Sequence, residues 1–249
     1  MNPIPSGSAP TDAVAVGLVR PIRGISRTTG LLLILATTAV VIADVVEPDF
    51  AAMAQHPDWL AASVLLRIVA AGASVGVAIT LYPLLRSIDQ LLAAGSLVFR
   101  TMEAVMYLVG VVVLLSLLPL SEQAASATAG RAVTVRATFD ALTTVRHSAG
   151  LIAVFAFIAG ALMYYWVFYR AELVPRWLSL WGLVAVLMLL VACLLSLFRS
   201  TPVSDYVLLA APIFLQEIVL AGWLLARGFN APHDGAYARV STRSTPGIH

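Results

Sequence analysis

The sequence predicts an all-α, polytopic integral membrane protein: a helical bundle of about six transmembrane helices with both termini in the cytoplasm. Three observations carry that expectation. Of the 249 residues, 60% are hydrophobic and only 11% charged, against about 25% charged in a soluble domain. The apolar residues lie in long blocks rather than evenly spread, as spanning helices require. The arginines are divided unequally between the two sets of loops that those blocks leave.

Residues 1–28 are rich in Pro, Ser, Gly and Thr, with Arg20, Arg23 and Arg27 near the end. They are expected to form a flexible N-terminal arm that becomes ordered at the membrane surface. The first apolar block covers about 30–46. Ala52-Met53-Ala54 has the form of a signal-peptidase site, but the preceding arm is long and an acidic stretch intervenes, so the block is taken as a retained span. Further blocks cover about 60–85, 91–118, 148–169, 177–198 and 206–225. Each is close to the roughly 20 residues that a 30 Å hydrocarbon core needs at 1.5 Å per residue. Pro175-Arg176 and Ser200-Thr201-Pro202 mark turns. Between the third and fourth blocks, residues 121–146 are polar and Ala-rich, with Val133, Val135, Phe139, Leu142 and Val145 in the second half. This segment would either lie along the surface as a helix or extend the fourth span outward. Residues 229–249 are polar with Gly and Pro, and are expected to be a disordered tail.

With six spans, one face carries Arg20, Arg23, Arg27, Arg86, Arg170, Arg176, Arg227, Arg239 and Arg243. The other carries Arg131, Arg136, Arg146 and Arg199, and its first loop holds Glu47, Asp49 and Asp58 with no arginine. The positive-inside rule then puts both ends in the cytoplasm, and the expected location is the inner (plasma) membrane. All 15 basic residues are arginine and the net charge is only +2. They are scattered over loops and membrane edges without a basic stripe, so membrane lipids, and no nucleic acid, are the expected partners. The single cysteine, Cys193, lies inside an apolar block, where it forms no intrachain disulfide and serves packing.

The few ionisable residues inside apolar blocks are the informative ones. Arg100 and Glu103 lie near the middle of the third span, and Glu217, preceded by Gln216, near the middle of the sixth. Arg67 lies in the outer half of the second, His147 at the outer start of the fourth, and Asp44 near the outer end of the first. A charge at the bilayer centre costs about 2.5–3.5 kcal/mol on insertion scales, so such residues face the bundle interior and find partners. Arg100 and Glu103 stand at i,i+3 and share a helix face, which Tyr107 extends. Arg67, Ala71, Ser74 and Ala78 form a stripe of one arginine and small residues, which lets a helix or a ligand approach closely. Gly72 and Gly76 form a G-x-x-x-G. By depth, Glu103 and Glu217 fall at the same level with Arg67, His147 and Asp44 above them. The expectation is one polar cavity in the outer half of the bundle, floored by Arg100, Glu103 and Glu217.

A structural alternative uses the same residues as glue, with Arg100–Glu103 and Arg67–Glu217 pairs locking helices together. The loop residues Glu47, Asp49, His56 and Asp58 match no metal-site spacing and are read as solvated. Trp177 and Trp181, with Tyr164, Tyr165, Trp166 and Tyr169, are read as an interfacial aromatic belt. No H-E-x-x-H, G-x-S-x-G elbow, Asp-rich magnesium motif or haem-ligating His pair is present, which disfavours the common membrane hydrolases, prenyltransferases and di-haem cytochromes. No cofactor and no metal are expected.

The run Arg170-Ala171-Glu172-Leu173-Val174-Pro175-Arg176-Trp177-Leu178-Ser179-Leu180-Trp181-Gly182-Leu183 resembles the signature of the bacterial membrane family catalogued as domain of unknown function 4386. Leu81-Tyr82-Pro83-Leu84-Leu85-Arg86, Arg100 with Glu103-Ala104, and Gln216-Glu217 on a helix ending in Gly228-Phe229 fit the same family. The resemblance runs from about Thr28 to Phe229. It implies a polytopic bacterial membrane protein and supplies no activity.

Three functions suit these residues. The first is a protein that binds or transports a small or amphiphilic molecule, lipid-like ligands included, through Arg67, Arg100, Glu103, His147 and Glu217. No inverted repeat supports it, and Pro212 is the one candidate for a broken helix. The second is a membrane enzyme on a lipid or isoprenoid-like substrate, with Glu103 or Glu217 as the catalytic general acid or base and Arg100 holding an anionic group. The third is a structural or stress-response membrane protein in which the charges only specify packing.

Overall fold

The computed structural model describes residues 11–230 apart from 200 and 202, with side chains from residue 23 onward except at 129 and 204. Helices make up nearly all of it: α1 (Thr11–Val46), α2 (Phe50–Met53), α3 (Pro57–Arg86), α4 (Gln90–Ala125), α5 (Ala129–Ala171), α6 (Arg176–Arg199) and α7 (Val207–Ala226). Among the described residues there is no strand. All but the one-turn α2 contain a stretch long and apolar enough to span a bilayer. The residues expected to form the tail lie outside the described residues from 231 onward, as do residues 1–10 of the arm.

Local chemistry sets the helix ends. Pro57 opens α3, where its missing N–H costs nothing, and Asp58 and Arg86 complement the helix dipole at the two ends. Asp89 caps α4, its Oδ1 accepting from the N–H groups of Leu91 and Leu92 at 3.1 Å each. Glu172 ends α5 in the left-handed conformation at φ 52°, and its carboxylate meets Arg176 at 2.6 Å across the turn into α6. Pro212 leaves α7 unbroken, so the candidate broken helix is continuous, entered through a 3-10 turn at Val203–Tyr206. Of the G-x-x-x-G pair, only Gly76 meets a neighbour: a Cβ there would lie 3.1 Å from the Leu32 side chain of α1, while Gly72 faces open space.

The six long helices form a closed ring. Each packs on its neighbours in sequence, α1 on α3, α3 on α4, α4 on α5, α5 on α6 and α6 on α7, and α7 returns to α1. Gly30 permits that closure, since a Cβ there would meet the Ala221 carbonyl at 3.0 Å. The face where α1 begins and α7 ends is sealed by an apolar plug that includes Tyr165, Phe168, Leu178, Leu220, Leu224 and Phe229. The chain after α7 is stitched over it: Phe229 donates its N–H to Ser26 Oγ at 2.9 Å, and Asn230 its own to the Leu173 carbonyl at 2.8 Å.

On the opposite face α4 and α5 outlast the bilayer. The 43 residues of α5 span about 65 Å, twice a hydrocarbon core. Of the two alternatives for residues 121–146, the structure therefore has the outward extension, with α4 and α5 projecting as a hairpin. A second apolar cluster, including Met53, Leu60, Leu114 and Leu117, packs beneath it. Ser121 ties α2 to the hairpin, accepting from the Ala54 N–H at 3.2 Å and donating to the Phe50 carbonyl at 2.7 Å, while the Phe50 and Phe139 rings lie 4.0 Å apart.

Candidate functional site

Between the apolar plug and the outer cluster, the ring encloses a cavity of about 490 Å³, within the usual range for small-molecule sites. Its floor is charged. Arg100 Nη1 donates to Glu103 Oε2 at 2.9 Å along one turn of α4, and Arg100 Nη2 lies 3.7 Å from Glu217 Oε1 on α7. Ser74 of α3 donates to Glu103 Oε2 at 3.2 Å, and Thr37 of α1 to Glu217 Oε2 at 3.1 Å. Four helices thus meet at one charge cluster whose three ionisable residues are all buried. From α5, Phe157 lays its ring 4.6 Å from the Arg100 guanidinium carbon, adding a cation–π contact. The walls are mostly apolar, with Val40, Val77, Leu189 and Ile213 among them.

Above the floor a second, wider cavity of about 800 Å³ opens beneath α2 and the hairpin, sharing Asp44, Arg67, Tyr107, Val154 and Val203 with the first. Arg67 stands at the junction. It meets Asp44 at 2.6 Å and Glu47 at 2.7 Å, while Arg146 of α5 takes Glu47 through both its Nη atoms at 2.5 and 2.6 Å. Burial alone would raise the Glu47 carboxyl, but the hydrogen bonds and charge of Arg146 and Arg67 outweigh it and hold it below the ordinary 4.5. His147 is exposed and lines this outer cavity.

Arg67, Arg100, Glu103, Glu217 and Asp44 all line the inner cavity, and His147 only the outer one. Three expectations are corrected. Arg67 does not pair with Glu217: α3 presents it to the α1 end and Glu47 instead, a full level above the floor. Glu47 is no solvated loop residue but the centre of a two-arginine clasp. Tyr164 and Tyr165 are no part of an interfacial belt; both are buried, whereas Trp166, Tyr169 and Trp177 face outward. Tyr165 donates its hydroxyl to Gln216 Oε1, and Gln216 Nε2 donates to the Leu178 carbonyl at 3.3 Å. Thr37 and Phe157 had no sequence signal, being an ordinary polar and an ordinary apolar residue in apolar runs. Ser74 was marked only by its place in the small-residue stripe.

A closed ring of six spanning helices around a charged cavity defines a multi-pass helical membrane protein. The chain matches the family model described as domain of unknown function (DUF4386) over residues 28–228, and it belongs to that family. No curated protein and no solved structure matches it.

Proposed function

We propose that this protein binds, and in the course of transport releases, a small amphiphilic molecule within the bilayer. The observation that carries it is the ring's asymmetry: a cavity floored by Arg100, Glu103 and Glu217 continues into the outer cavity toward one face, while an apolar plug closes it toward the other. Apolar walls over a polar floor suit a ligand with one charged or polar end. The arginine asymmetry supports placing both termini in the cytoplasm of a bacterium, with the chain in the inner membrane and the open face outward.

The test is a native mass spectrum of the protein released from mild detergent. A bound small molecule is expected on the wild-type chain and is expected to be lost from Ala71→Trp, which fills the cavity from α3. Absence of any adduct, together with cysteines at Ala71 and Val40 that stay inert to water-soluble thiol reagents, would overturn the proposal in favour of charges that serve packing alone.

A further inference from the structure

Resting on that binding role, we infer that the ligand is a lipophilic cation: a protonated amine carried on an apolar body.

The first ground is the charge count. Beneath the junction, one guanidinium, Arg100, faces two carboxylates, Glu103 and Glu217. At the junction Arg67 and Arg146 balance Asp44 and Glu47. With every group ionised, the floor keeps one uncompensated negative charge, which a buried site tolerates poorly.

Free acceptor atoms supply the second ground. Arg100 and Ser74 both spend their bonds on Glu103 Oε2, and Thr37 spends its own on Glu217 Oε2. No described residue donates a hydrogen bond to Oε1 of either glutamate, and both residues are nine-tenths buried along the cavity. Glu217 Oε1 has only the 3.7 Å ion pair with Arg100 Nη2, and Glu103 Oε1 has no partner among the described residues, so a protonated amine brings the hydrogen-bond donors that both oxygens lack. An anion would meet two carboxylates and a guanidinium whose two Nη atoms are directed to them, with only Nε, buried away from the cavity surface, left without a partner.

The third ground concerns the body of the ligand. On the side between α1 and α7, Val45 and Val207 line the cavity while 79% and 59% exposed, and Val41 and Phe214 do the same deeper down. The cavity therefore reaches the lipid-facing surface between these two helices, above their Thr37–Glu217 contact. A ligand dissolved in the leaflet has a route to the carboxylates that never crosses water, which suits an amine with an apolar body better than a hydrated metal ion.

The experiment titrates decylammonium, decanol and decanoate, which share one chain and differ in headgroup charge, onto the full-length protein in neutral detergent, and counts adducts by native mass spectrometry. Decylammonium is expected to bind at least about tenfold more tightly than either other ligand, as one charge-assisted hydrogen bond would give. Glu217→Gln is expected to remove most of that preference. Equal binding of all three, as when a proton alone neutralises the floor, would overturn the inference, as would a preference for decanoate or the absence of any adduct. The wild-type comparison stands even if the variant fails to fold. A preference for the neutral or anionic ligand would leave the co-purified adduct, and so the binding role, intact.

Discussion

Arg100 divides its guanidinium unequally, 2.9 Å from Glu103 and 3.7 Å from Glu217. The two carboxylates are therefore different in kind. Glu103→Gln leaves a buried guanidinium with only the longer contact, and breaking a buried pair costs about 3–5 kcal/mol. Glu217→Gln keeps the Arg100–Glu103 bond, and its amide oxygen still accepts from Thr37, so the loss is expected to be about 1 kcal/mol. Heating the detergent-solubilised variants and following the monodisperse fraction ranks them; a Glu217→Gln protein as fragile as Glu103→Gln would refute the ranking. At this scale the sequence was legible where two charges interrupt the same apolar run one helical turn apart. Arg100 and Glu103 declare their contact by i,i+3 spacing. Glu47 does not, because it sits among other acids in a loop and its clasp, Arg146, is 99 residues away.

Elements are fixed by contacts of two sorts, polar clasps at the outer end and close apolar packing at the plug. The loop from α1 to α2 hangs on Glu47. A carboxyl held below its unfolded value stabilises fully above that value, and the contribution fades as the pH falls through the folded one. The clasp is therefore expected to hold at neutral pH and to release only below the ordinary 4.5. Amide exchange over residues 48–54, corrected for intrinsic rates, should rise at acid pH to the level that Glu47→Gln shows at neutral pH; a wild-type loop already as labile as the variant at neutral pH would discount the clasp. At the plug, α5 meets α6 where the Tyr165 ring covers Gly182, and a Cβ there would fall 2.5 Å from Tyr165 Cε1. Gly182→Ala must displace the ring and with it the bond to Gln216, and overpacking of this kind costs about 1–3 kcal/mol. The glycine lies within the run that resembled the family signature. Its reason was invisible, because hydropathy treats Tyr164, Tyr165, Trp166 and Tyr169 as one aromatic belt and only the neighbours in α6 and α7 decide which rings turn inward.

The whole molecule is a ring, and its order could not be read from the chain. Spanning helices that are apolar nearly all round carry little periodicity to say which face meets which neighbour. That is why the spans and the common depth of Glu103 and Glu217 were readable, while the return of α7 onto α1 and the true partners of Arg67 were not. The choice between a surface helix and an outward extension at residues 121–146 stayed open for a related reason: a window sized to the bilayer stops at the bilayer, whereas α5 runs back to Ala129. Ring closure has a consequence for access. Ala71 lines the inner cavity, above the plug and below the junction at Arg67. In a Cys193→Ala background, Ala71→Cys is expected to react with a water-soluble thiol reagent added to right-side-out vesicles and to stay unlabelled in inside-out vesicles. The path from the outer cavity is polar, whereas the path from the other side runs through Tyr165, Phe168 and Leu224. Labelling only from the inside would reverse the orientation that the arginines support. Labelling from both sides would mean that the plug opens at rest, as a channel's would.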